Sequence, residues 1–558
     1  MTRSSRSLSR RALAGAVLAT ALVIAGCGPA AQTGGVDEEG RVEMLTFGDF
    51  GGGSNPKENY NPFLEGQNLA AFGYIYEPLM LINEYSCDPE PWLATEYAWT
   101  DPQTLTFTLR EGVTWNDGEP FTAEDVAFTF AMIRDNPALD TQGVWRYLSD
   151  VRADDESTVT FTFSSPGASA FTLVNAVRIV PEHIWADVAD PVSFVNADDP
   201  VGTGPYMLDA FNPQRLTIAR NPDYWNAEAI KVNKIQFVKS DTGQVEQLKL
   251  ARGDYDQNAA YIPDIEKAYV AKDPEHHHYW FPAGSPISLF MNTEKKPFDD
   301  AAFRAAIAQA IDKEEIVQNA QQGYVDVASQ TGLVLPNNEE WLPDDLSDGG
   351  YVTFDADAAG AALDAAGYPL EGDRRVGPDG TPLEFTFKVP GGWNDWVQAA
   401  KVVQSNLEDI GIGIDLQTPT PEVTEQDRRT GEYDFVFGVR GGSCNMFRNF
   451  QEPLASDQTA PTGEEAATNE IRWRDAETDA LIEQLRVAVD ESAQKEAVAG
   501  LARIMVDEVP YIPLWYGANW FQYTTRQVEG WPSEEDPYAK PANMLLILTR
   551  LEPVADGG

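Results

Sequence analysis

Histidine and cysteine are nearly absent: four and three in 558 residues. No C-x-x-C pair occurs, which removes zinc sites of that spacing. G-x-S-x-G, H-E-x-x-H, the P-loop and the Rossmann glycine pattern are also missing, and with them the signatures of several enzyme classes. Basic residues are scarce, 40 Lys and Arg against 88 Asp and Glu, for a formal charge of −48. Such a surface excludes a phosphate-backbone partner, so no nucleic acid is expected. It also repels acidic ligands at long range. Its plain role is solvation. No repeat of 20–50 residues is visible, and no cofactor or metal is implied. The run His276-His277-His278 does not change this, because consecutive strand side chains face opposite ways; a solvated strand end is expected there.

A hydrophobic fraction of 43% and abundant aromatics are ordinary for a folded chain. The length exceeds a single-core domain of roughly 100–150 residues, so at least two lobes are expected. Residues 1–11 are basic, 12–26 are small and apolar, and Cys27 follows. The apolar run is shorter than the roughly 20 residues that cross a bilayer, and the order describes a secretory signal. Ile24-Ala25-Gly26-Cys27 resembles the lipobox of bacterial lipoproteins, in which the cysteine is acylated. That resemblance implies a signal peptide at 1–26, a lipid on Cys27 and a flexible tether over 27–40. Cys87 and Cys444 remain; sequence leaves open whether they pair.

Alternation predicts strands at Arg41–Phe47, Thr104–Leu109, Thr158–Phe163, Leu383–Val389 and Asp434–Phe437. Thr122 and Asp125 have capping-box spacing ahead of a helix carrying Val126, Phe130 and Ile133. Phe303, Ile307, Ala310 and Ile311 mark another helix face, and Asp312 with Glu315 starts the next. A helix from Asp355 stops at Gly367. The texture changes near 283–300 and again at 509–514.

The stretches PWLATEYAWTDPQTLTFTLREGVTWNDGEPFTAEDVAFTF (91–130), GTGPY (202–206), NPDYW (221–225), MNTEKKPFDDAAFRAAIAQAID (291–312), LDAAGY (363–368) and YDF (433–435) lie in order along the chain. Together they resemble the large solute-binding proteins of bacterial ABC importers, family 5, the peptide, nickel and oligosaccharide class. The resemblance implies a two-lobed α/β fold of the type II periplasmic-binding-protein kind with a hinge cleft. Lobe I would comprise 41–284 plus 510–558, and lobe II 285–509. It further implies a monomer outside the cytoplasm, held at the cell membrane by its lipid. The protein would bind a small solute, carry out no catalysis and hand the solute to a membrane permease.

Peptide-binding relatives carry an Asp beyond the YD strand, after a Gly-Trp pair. Here FVFGVRGGSCNMFRNF (435–450) has neither, and Arg440 and Arg448 would repel an amine. GGWNDW (391–396) instead resembles relatives that bind β-linked glucose oligosaccharides. A tryptophan offers a flat apolar platform for a sugar ring, and Asn and Asp serve its hydroxyls. Trp396 falls on a helical stripe with Ala400, Val403 and Leu407 and reads as core; Trp393 lies off it and reads as the cleft ring, beside Asn394. Its bland alternative is a staple at the helix entry. Phe50 on a glycine-rich turn is a second candidate ring. Asn445 and Arg440 are candidate hydroxyl partners, with a salt bridge the alternative for Arg440. Trp145, Trp515 and Tyr516 are expected in the core or the cleft wall. The expected ligand is a cello-oligosaccharide-like β-glucoside. An oligopeptide or dipeptide is the alternative, and a secreted glycoside hydrolase the distant one.

Overall fold

The computed structural model describes residues 36–48, 58–64, 73–239, 244–335, 337–346 and 348–554. The signal segment, Cys27, most of the tether and Phe50 lie outside them. Among the described residues no helix is long and apolar enough to cross a membrane.

Alternating threonine and apolar residues put one face of each early strand into the core. In Thr104–Leu109 the side chains of Leu105, Phe107 and Leu109 are buried. Leu105 pairs with Phe161 and Phe107 with Val159 across an antiparallel ladder. This ladder is the centre of a four-stranded sheet. The helix Ala123–Asp135 begins with the expected capping box: Asp125 accepts from the Thr122 N–H at 2.9 Å. Asp125 also accepts from the Glu182 N–H at 3.0 Å, so one carboxylate starts the helix and fastens the neighbouring turn.

A seven-stranded sheet completes the first lobe. Its order is His277–Tyr279, Gln522–Thr524, Gln257–Asn258, Leu45–Phe47, Lys234–Val238, Arg215–Arg220, Tyr206–Asn212. The second lobe is built on a five-stranded mixed sheet, Gly413–Gln417, Glu384–Lys388, Phe435–Val439, Ala283–Met291, Ile512–Ala518. Helices cover it through stripes that sequence periodicity predicts: Phe303, Ile307 and Ala310 on one, Ala400, Val403 and Leu407 on another, all buried. Asp312 caps its helix through the Glu315 N–H, and Gly367 follows the Ala356–Ala365 helix with φ +91°.

The return crossing differs from expectation. Ile512–Ala518 pairs with Ala283–Met291 in the second sheet, and the chain rejoins the first sheet only at Gln522. The crossing is therefore near 519–521, not at 510. The end of a long helix at Asp507 looks like a boundary in sequence, but the apolar strand after it still belongs to the second lobe. The two crossings lie side by side: Asn519 N–H and Nδ2 both donate to Pro282 O at 3.1 Å, and Trp280 N–H donates to Phe521 O at 2.9 Å.

Candidate functional site

Between the lobes lies a cavity of about 970 Å³. The first lobe supplies Phe47, Tyr74, Met80, Met544 and Leu545 as apolar wall, with Asn175, Gln257 and Asn543 among its amides. The second lobe closes it with Ser285 and the loop Gly442, Ser443, Cys444, Asn445. Trp520, in the return crossing, also faces it. That ring is held edge-on by Phe281 at 4.8 Å, Tyr261 at 5.4 Å and Tyr324 at 6.3 Å. Three aromatics thus fix its orientation and leave it partly open to the cavity.

The lobes touch along the far lip. Asn445 caps the helix Met446–Leu454 by accepting from the Arg448 N–H at 3.1 Å. Its Nδ2 reaches across to Thr172 Oγ1 at 2.6 Å and Ser169 O at 2.9 Å in the first lobe. Asn445 is thus a cavity residue and also a bridge. Beside it Cys87 and Cys444 form a disulfide with a Cα–Cα distance of 5.1 Å, joining the two lobes. Ser169 Oγ donates to Arg486 O, and Arg486 to Ser165 Oγ, extending the seam.

The other sequence candidates go elsewhere. Trp393 stands at the N-terminus of Asn394–Asp409, 45% exposed, and does not line the cavity. Spacing of three on a helix sets it against Trp396, edge-on at 4.8 Å, and Trp396 meets Phe437 in the second-lobe core. Asn394 is exposed and also outside the cavity lining. Arg440 pairs with buried Glu470 at 2.8 Å and donates to Thr468 O and Val439 O, so its fork is occupied. Trp515 is core, edge-on to Phe437. Tyr516 is core too: its hydroxyl accepts from the Ser329 and Leu335 N–H groups and donates to Leu333 O. Trp145 packs against the first-lobe core and donates to Phe130 O at 2.9 Å. His277, expected at a solvated strand end, is instead buried and stacked on Tyr269 at 4.2 Å. Among the described residues no group of three or more His, Cys, Asp or Glu is arranged to hold a metal.

Sequence reading missed Trp520, Lys540, Asn543 and Glu84. The available signal was Asn519-Trp520 directly after a strand end, the same pairing of ring and amide that drew attention to 393–394.

A profile of the bacterial extracellular solute-binding proteins, family 5 (middle region), matches residues 88–461. The chain belongs to that family. Among solved structures it resembles a periplasmic oligopeptide-binding protein of an oligopeptide ABC transporter from Thermotoga maritima, at 27% identity over 92% of this chain and 99% of that one, with a TM-score of 0.85. It also resembles that protein with mannohexaose bound, at 27% identity over 92% and 98%, with a TM-score of 0.79. Protein XP55 of Streptomyces lividans is 29% identical over 77% of this chain and 76% of its own length. The family's two-lobed α/β architecture is the one described above, and the interlobe cavity is where a family member has room for a solute.

Proposed function

We propose that this protein is the solute-receiving component of an ABC importer outside the cytoplasm, and that its cleft takes a short oligosaccharide. The carrying observation is the lining: one oriented tryptophan, Trp520, amid amide and hydroxyl side chains from both lobes. A pyranose has an apolar face that stacks on indole and a rim of hydroxyls that amides satisfy. A volume of about 970 Å³ suits an oligosaccharide of a few units. The mannohexaose-bound neighbour supports the same solute class. Trp520 replaces Trp393 as the proposed platform, and Asn445, whose amide hydrogens go to Thr172 and Ser169, is proposed to hold the lip closed in place of its expected contact with a solute hydroxyl.

The paired crossings near 280–282 and 519–521 act as the hinge in this reading, and solute binding selects the closed form that a permease reads; the Cys87–Cys444 bridge holds the far lip together, so wide opening requires its reduction. We propose that acylated Cys27 keeps the protein near that permease. Cleavage chemistry has no part in this reading, because the family works by binding. An oligopeptide is the second reading, favoured by the description of the Thermotoga protein as oligopeptide-binding.

Calorimetry of the chain against β-linked glucose and mannose oligosaccharides and a set of short peptides tests the proposal. Heat from one sugar series with none from peptides is expected. Tight peptide binding with no sugar heat would reverse the order of the two readings.

A further inference from the structure

The cleft differs in charge from the rest of the molecule. Acidic residues outnumber basic ones by more than two to one in the chain, yet the charged groups lining the cavity are Arg178, Arg448 and Lys540 against Glu84 alone. Arg448 is neutralised outside the lining by Glu452, with a 2.5 Å ion pair. Lys540 is not: the residue is 6% exposed, no hydrogen bond or ion pair of its Nζ is formed among the described residues, and the Nζ, unlike that of Lys313, is not fully enclosed but reaches the cavity it lines. Glu84, on the same wall, contributes through its charge from beyond ion-pair distance. Buried lysines are rarely left in this state, because a desolvated ammonium needs hydrogen-bond acceptors. Burial pulls the Lys540 pKa down, and the field of Glu84 opposes that. The ammonium therefore stands in the cavity wall, open to what fills the cavity, with one countercharge beyond ion-pair distance that it shares with Arg178.

We propose that the solute carries a carboxylate that docks on Lys540, so that the cleft selects an acidic oligosaccharide over its neutral counterpart. This rests on the reading of the cleft as an oligosaccharide site. The strongly acidic surface disfavours anions in bulk, and a local cation in a low-dielectric wall reverses that preference within the cavity. The same carboxylate chemistry has a second source, the C-terminus of a peptide, and the test separates the two.

The experiment is calorimetry of the wild-type chain, Lys540→Met and Lys540→Arg against four probes: cellotriose, its aldonic acid cellotrionate, trialanine and trialanine amide. Melting curves confirm that both variants fold. Cellotrionate is expected to bind roughly tenfold or more tighter than cellotriose in the wild type. The gap should close in Lys540→Met, persist in Lys540→Arg and shrink as salt is raised. Equal binding of the two sugars would overturn the acidic preference and leave the sugar reading standing. Binding of trialanine but neither sugar, lost on amidation and in Lys540→Met, would keep the carboxylate dock and overturn the sugar reading. No binding by any probe overturns both.

Discussion

Lys540 and Lys313 are both buried beside large cavities, and they settle that burial in different ways. Lys540 lines the interlobe cleft within the field of Glu84. Lys313 lines a cavity of about 1100 Å³ lying wholly in the second lobe, with Asp312, Glu314, Asp326 and Asp344 around it. Despite those acids, Lys313 Nζ has no hydrogen-bond partner among the described residues, and burial pushes its pKa down to about 7. Asp312 is already used as a helix cap. Burial therefore favours the neutral form of Lys313, whereas Lys540 is proposed to keep its charge for a guest. Size and acidity do not set the two cavities apart as sites; the proposed site is the one that lies between the two lobes.

The largest expected effect tests the Lys313 half of that contrast. With its folded pKa near 7 and the ordinary value at 10.5, the folded state holds fewer protons than the unfolded chain between those values. Stability should therefore rise with pH from about 7 to 10.5, with the full penalty present below 7. Lys313→Met is expected to raise stability at pH 6 by a few kcal/mol and to remove that slope in thermal denaturation. A Lys313→Met protein that melts lower at pH 6 breaks the contrast.

The first lobe carries a counterpart of opposite sign. Glu77 accepts from Trp92 Nε1 at 2.6 Å and Tyr224 OH at 2.8 Å, and burial lifts its pKa from 4.5 to about 7. The folded state then keeps a proton that the unfolded chain releases, so stability falls as pH rises from 4.5 to about 7. Glu77→Gln should flatten melting temperature across that window; an unchanged slope would remove Glu77 as its source.

In the cleft, Trp520→Ala is expected to cost about 2 kcal/mol of solute binding, roughly 30-fold in Kd. Phe354→Ala, in the acidic pocket, should leave Kd unchanged. An equal loss from both would merge the two cavities into one functional site. The smallest effect concerns the seam. Reducing Cys87–Cys444 removes a covalent tie between the lobes, and solute release, followed by stopped flow, should quicken several-fold. Unchanged release with titrated free thiols would show that the seam's hydrogen bonds alone hold the lip.

What sequence makes legible here is local. Thr122 with Asp125, Asp312 with Glu315 and the stripe through Val403 and Leu407 each depend on residues a few positions apart, and all form as expected. What it hides is set by distant partners. Cys87 meets Cys444 across 357 positions. Arg440 looks available until Glu470 arrives from a separate segment. Trp393 and Trp520 both follow the same ring-and-amide pattern, and only the approach of the lobes decides which faces the gap. Asn445 reads in sequence as a candidate hydroxyl partner, and its bridge to Thr172 depends on a residue 273 positions away.

In the proposed function solute is held between the lobes on Trp520. Parallel calorimetric titration of wild type, Trp520→Ala and Trp393→Ala with one oligosaccharide that the wild type binds tests it most directly. Trp393→Ala is expected to keep wild-type affinity and Trp520→Ala to lose most of it. Loss in Trp393→Ala with Trp520→Ala unaffected would contradict it.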